Sequence, residues 1–178
     1  MARTGALGAP SVRFLHALAR CEKPIVASVS GAAVGVGTTM LLHCDQVIAS
    51  DIAVFLTPFV SLGLLPEAGS SLIAPRLMGH ARAFSLLVMG KPLSAEEAKT
   101  AGIVAAVVPG AELDAQSLAV AREIAALPTA SVAAARRLMR GSVEETVARI
   151  DEEVEVFKTR LASPEAQKAF AAFLSRKN

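Results

Sequence analysis

Apolar residues at Val12, Phe14, Leu15 and Leu18 recur at helical spacing, so residues 11–21 predict an amphipathic helix. The pattern then changes. "PIVASVSG" (24–31) is a short apolar run rich in Val and Ile and bounded by Pro24 and Gly31, which predicts a buried strand. Helical character follows from 35 to 44, and "QVIAS" (46–50) and "AVFLTP" (53–58) predict two further short strands. In "SLGLLPEAGSS" (61–71), Gly63, Pro66 and Gly69 mark a turn region. Helices are expected over 71–78, with Pro75 inside it, over 80–89 and over 94–101. The last begins with a capping box, Ser94 followed three residues later by Glu97. "GIVAAVVP" (102–109) predicts a closing strand. Beyond it the pattern is helical to the end, in segments 113–127, 129–140, 143–161 and 164–175 separated by Pro128, Gly141 and the Ser163-Pro164 pair. Ser163 as N-cap with Pro164 in the first helical position is a start signal. Strands first and helices after define an α/β chain, divided at residues 1–110 and 111–178.

Composition narrows this picture. The 178 residues suffice for one domain with a core. They are 53% hydrophobic and only 4% aromatic, without Trp or Tyr, so the core is aliphatic and alanine-rich. Mean hydropathy is positive, yet charged residues or Pro interrupt every apolar run short of the roughly 18 residues a membrane-crossing helix needs. Net charge is +2. The densest basic group, Arg136, Arg137 and Arg140, lacks aromatic neighbours and is too small for a nucleic-acid footprint. Cys21 and Cys44 lack metal-ligand spacing, so a reducing, cytoplasmic setting is expected. Arg3, Arg13 and Arg20 without an acid give the start a faint transit-peptide character, which the helix over 11–21 accounts for better.

Two stretches invite chemistry. Gly35 and Gly37 flank Val36 where strand-like sequence becomes helical. Glycine there lets a second molecule approach the unpaired first N–H groups of a helix, which suits a carbonyl oxygen that gains negative charge. Tight helix–sheet packing is the alternative. The spacing is neither GxGxxG nor a P-loop. Glu67 lies among apolar residues with no Lys or Arg close in sequence. A carboxyl group in an apolar cleft has a raised pKa and can transfer protons, whereas an exposed Glu in the first turn of a helix would do nothing of the kind. His43 reads as a packed or helix-end residue, Asp45 as a residue that caps or turns the chain, and Ser70 and Ser71 are not set in a GxSxG elbow. His80 carries no stronger signal.

The combination resembles the crotonase (enoyl-CoA hydratase/isomerase) superfamily over nearly the whole chain. The resemblance rests on "KPIVASVSG", the turn "GVG", the Cys44-Asp45 pair, "VIAS", "LGLLPE", the "ARA" helix, "SAEEAKTAGIV" and the "VVP" ending, in that order. It implies a ClpP-like ββα-superhelix spiral core followed by a helical C-terminal trimerisation region. It also implies an acyl-CoA thioester as substrate, coenzyme A being part of that substrate, with no metal or redox cofactor, and a homotrimer or dimer of trimers.

Residue by residue, the resemblance makes the N–H of Val36 an oxyanion donor for the thioester oxygen, with Gly35 and Gly37 shaping the turn. Hydratases of the family carry two glutamates, and the matching positions here are Thr39 and Phe59. Glu67 matches the single acid of Δ3,Δ2-enoyl-CoA isomerases, and "TPFVSLGLLPEAGSS" is most similar to the peroxisomal type. Phe59 and Pro66 fall beside the expected substrate path. Phe157, Lys158, Lys168 and Phe170 are further candidates near a coenzyme A, with core or surface roles as the alternative for each. The family's N-terminal portion, with its "SAGADL"-like loop, has no counterpart before Phe14, so the chain reads as N-terminally shortened. A non-catalytic acyl-CoA-binding or assembly remnant, or another crotonase reaction, therefore stands beside the isomerase.

Overall fold

Residues 9–175 are described by the computed structural model. Its elements run α1 (Ala9–Arg20), β1 (Val26–Val29), β2 (Ala32–Val34), α2 (Val36–Thr39), β3 (Gln46–Ser50) and β4 (Val54–Leu56). Then come α3 (Ser70–Met78), α4 (His80–Leu87), β5 (Leu93–Ser94), α5 (Ala95–Thr100) and β6 (Ala106–Val108). The helices α6 (Leu113–Ala126), α7 (Thr129–Arg140), α8 (Val143–Leu161) and α9 (Pro164–Ser175) complete the chain. The opening segment containing Arg3 lies outside the described residues.

The first four strands alternate between two sheets. One has the order β1-β3-β6 and is parallel throughout; the other, β2-β4-β5, pairs β2 with β4 in parallel and β4 with β5 antiparallel. Every strand-to-strand step except β4 to β5 therefore crosses from one sheet to the other, which makes the α/β spiral. Small side chains allow the layers to approach: Ala33, Ala49, Ala74 and Ala98 are buried with Leu41, Val47, Phe55, Leu86 and Ile103 in the main core. A second core joins the first helix to the last part of the chain, with Leu15 and Ala19 of α1 against Val147, Ile150 and Val154 of α8. Ala68 is buried between them.

Most helix limits agree with the pattern. The capping box of α5 is formed in both directions, Ser94 Oγ accepting from the Glu97 N–H and Glu97 Oε2 accepting from the Ser94 N–H at 2.8 Å. Ser163 Oγ accepts from the Ala166 N–H at 3.2 Å. Three expectations change. The run at 24–31 is only half-buried in β1, with Ser28 exposed, because among the described residues β1 pairs on one side alone. β2 goes unannounced, since three residues, two of them Ala, are too few for a period-2 signal. Asp45 does not cap the turn it ends: its carboxylate accepts from the Ile25 N–H at 2.8 Å and from Arg136 Nε at 2.8 Å. It thus ties the entry of β1 to α7. Among the described residues no single helix is long and apolar enough to cross a membrane.

Candidate active site

Glu67 follows β4 through a 3-10 turn at Val60–Leu62 and a left-handed Gly63. Its side chain is 4% exposed. The turn it begins is unusual: Ala68 has φ 64 and Gly69 φ 69, two left-handed residues in succession. Glycine adopts this region freely, but Ala does so only where its surroundings compel it. Side chains from afar hold the turn. His43 Nε2 donates to the Ala68 carbonyl at 2.7 Å. Glu153, on α8, accepts from the Gly69 N–H at 2.6 Å, from the Ser71 N–H at 3.0 Å and from Ser71 Oγ at 2.6 Å. His43 is buried, which lowers its pKa, and Arg140 Nη2 faces its Nδ1 at 3.5 Å, so the neutral ring bonds Ala68.

The Glu67 side chain lines a cavity of about 630 Å³. Phe14 and Leu15 of α1, Val34 of β2, Gly35, Val36, Phe59, Leu62 and Leu64 form its walls, with Phe157 and Phe170 from α8 and α9. Among the described residues lining it, Glu67 is the one ionisable group. Burial raises the Glu67 pKa to about 7; a hydrogen bond from Thr39 opposes this, and the nearby Glu153 adds to it. Thr39 Oγ1 donates to Glu67 Oε1 at 2.5 Å. The same hydroxyl lies 3.4 Å from the Gly35 carbonyl, so it can donate to a carboxylate or turn toward Gly35 and accept from a protonated Glu67. A carboxyl balanced near neutrality in an apolar chamber can take a proton from carbon and give it back.

Gly35, Val36, Phe59 and Glu67 thus line one cavity, while Gly37 and Pro66 do not. Gly35 has φ 58 and ψ −120, precedes α2, and donates its N–H to the Leu56 carbonyl at 2.9 Å. Its carbonyl accepts the Thr38 and Thr39 N–H groups. The N–H of Val36 is the first of α2 and has no acceptor within the helix. The steric need falls on Gly35 through its φ. A Cβ at Gly37 would meet open space, and that residue lines a separate groove beneath β1. Phe157 and Phe170 reach the cavity, whereas Lys158 pairs with Glu155 on the surface and Lys168 is exposed. His80 is exposed and stacks loosely on Phe84. Sequence reasoning missed Glu153. Its signal was its place in the stripe Val147, Ile150, Val154, Phe157, where a Glu three residues after Ile150 must point inward.

The two-sheet α/β spiral with its helical C-terminal part is the crotonase fold. The chain belongs to the enoyl-CoA hydratase/isomerase family, whose model matches residues 4–178. It is 37% identical over 165 residues to enoyl-CoA delta isomerase 2 of Rattus norvegicus, covering 92% of this chain and 42% of that protein. It is 34% identical over 163 residues to 4-chlorobenzoyl coenzyme A dehalogenase-1 of Arthrobacter sp, covering 91% of this chain and 59% of that one. Among solved structures, the enoyl-CoA hydratase/isomerase from Pseudoalteromonas atlantica T6c superposes with a TM-score of 0.90 at 46% identity, over 93% of this chain and 67% of that one. The chain therefore spans about half the length of the curated relatives it matches.

Proposed function

We propose that this chain carries the proton-transfer group of a Δ3,Δ2-enoyl-CoA isomerase. The observation that supports it most is that Glu67, the one ionisable group among the described residues lining the apolar cavity, is bonded to Thr39 rather than to a second acid. In this reading the Glu67 carboxylate removes a proton from C2 of a 3-enoyl-CoA. The C–H electron pair forms a double bond between C1 and C2 and the carbonyl pair moves onto oxygen, giving a dienolate with its negative oxygen at the Val36 N–H. Glu67 then returns the proton at C4, and the double bond lies between C2 and C3. No atom is gained or lost, so one carboxyl group suffices. Hydration needs a water held and activated, and the hydroxyl of Thr39 and the ring of Phe59 supply no second carboxylate. The similarity to enoyl-CoA delta isomerase 2 supports the same choice.

The reaction so drawn uses no metal or redox cofactor, and coenzyme A enters as part of the substrate. Assembly as a homotrimer or dimer of trimers, and a cytoplasmic setting, belong to the same proposal. The test is conversion of a 3-enoyl-CoA to its conjugated isomer, followed by the absorbance of the conjugated thioester. Glu67→Gln is expected to lower kcat by roughly a thousandfold, within the range that positioned acid–base groups contribute. Equal turnover in both proteins would overturn the assignment. Thioester binding with no turnover in either would favour the non-catalytic reading, and hydration or hydrolysis products would favour another crotonase reaction.

A further inference from the structure

We infer that Glu153 is the positioning residue of this site, its carboxylate clamping the turn from Glu67 to Ser71 so that the Glu67 side chain is held facing the cavity. Three observations carry this. The turn contains a left-handed Ala68, a conformation that persists only where its neighbours over-determine it. Glu153 accepts three hydrogen bonds from that turn, two from backbone N–H groups and one from a hydroxyl, and its own side chain is 4% exposed. A carboxylate buried beside a second buried carboxyl group is costly unless its bonds compensate, so an ordinary packing position would hold an apolar residue. The stripe that carries it, Val147, Ile150, Val154 and Phe157, is otherwise apolar.

The clamp acts from one side and His43 from the other, through the Ala68 carbonyl. The charged groups facing the turn are Glu153 and Arg149 of α8, Arg149 Nη1 reaching Ser71 Oγ at 3.3 Å, and Arg140 of α7 behind His43. Glu153 does not itself line the cavity, so it acts through Glu67. Its negative charge also disfavours a second charge on Glu67, which raises the Glu67 pKa in addition to the effect of burial. One side chain 86 residues further along the chain thus contributes to both the position and the proton affinity of the site carboxyl.

This rests on the isomerase reading only in taking Glu67 as the proton carrier, and two readouts keep the claims apart. Glu153→Gln and Glu153→Asp are compared with wild type for kcat, KM and melting temperature, and by NMR of glutamate labelled at the carboxyl carbon, with the Glu67 signal assigned by its loss in Glu67→Gln. In folded Glu153→Gln, kcat is expected to fall roughly ten- to a hundredfold with KM within about twofold, as a misplaced reacting group gives. The Glu67 titration midpoint is expected to fall, because the like charge is gone. Glu153→Asp, which keeps the charge on a shorter stem, should recover part of kcat. An unmoved Glu67 midpoint, with any loss of kcat matching only the loss of folded protein, would overturn the inference. If wild type makes no conjugated product the isomerase reading fails, and the midpoint comparison still decides the clamp. If Glu153→Gln does not fold, Ser71→Ala, which deletes one of the three bonds and keeps the charge, is read by kcat against folded fraction, and an unchanged kcat would overturn the inference.

Discussion

The cavity is bounded by two left-handed turns that are held in different ways. The turn at Gly35 is held by backbone groups: its N–H meets the Leu56 carbonyl of β4, and its carbonyl meets the Thr38 and Thr39 N–H groups just downstream. The turn at Ala68 and Gly69 is held by His43 and Glu153, from 25 and 84 residues away. The first needs a residue that takes a positive φ and the pairing of β2 with β4, with no side chain reaching in from elsewhere. The second needs two other parts of the fold to be in place, and it carries the group expected to do chemistry. A strained turn held by distant side chains fixes its carboxyl firmly in the native state and has little reason to form without it.

That contrast can be broken at several points. The largest effect on stability is expected from the charge on Glu67. Its pKa is near 4.5 in the unfolded chain and about 7 in the folded one, so the folded state holds the proton more tightly. The stabilisation is complete below the unfolded value and is lost as pH rises through about 7, amounting to about 3 kcal/mol. Melting curves from about pH 5 to about pH 8 should therefore show wild type losing stability relative to Glu67→Gln. Part of the decline should remain in the variant, because burial also raises the pKa of Glu153. Equal pH dependence in both proteins would mean that Glu67 is solvated.

Next in size are the glycines. Gly69→Ala places a Cβ in the left-handed region and 3.3 Å from Thr146 Cγ2, so chemical denaturation should show a loss of about 2 kcal/mol. Gly37→Ala meets nothing and should change stability by less than about 1 kcal/mol, in the favourable direction, since Ala suits a helix better. If both cost the same, the two turns do not differ as described. The smallest effect is expected from Thr39→Val, which removes the bond that favours the charged form of Glu67. The midpoint of the rising limb in kcat/KM against pH should then move upward, with little change in the plateau.

Much of the site was legible in the order of residues. Gly35 stood where a strand pattern meets a helix pattern, and Glu67 stood alone in an apolar stretch after Pro66. What pattern could not separate was whether Glu67 was a buried acid or an exposed helix-start residue, because both readings share the same neighbours. Burial in the cavity beside Phe14 and Leu15 of α1 and Phe157 of α8 decided that, and those elements are far away in the chain. Nor could spacing tell Gly35 from Gly37: the backbone path gives one a positive φ and leaves the other in open space.

The sequence by itself determined the helices from Leu113 onward, the capping of α5 and the aliphatic, alanine-rich core, because periodicity, caps and composition are local properties. Only the tertiary structure decided that β1 and β2 enter different sheets, that Asp45 serves Arg136, and that Glu153 grips the Glu67 turn. Each of these is a pairing between groups remote in sequence, and its free energy comes from excluding water around them. A local pattern carries no record of that exclusion.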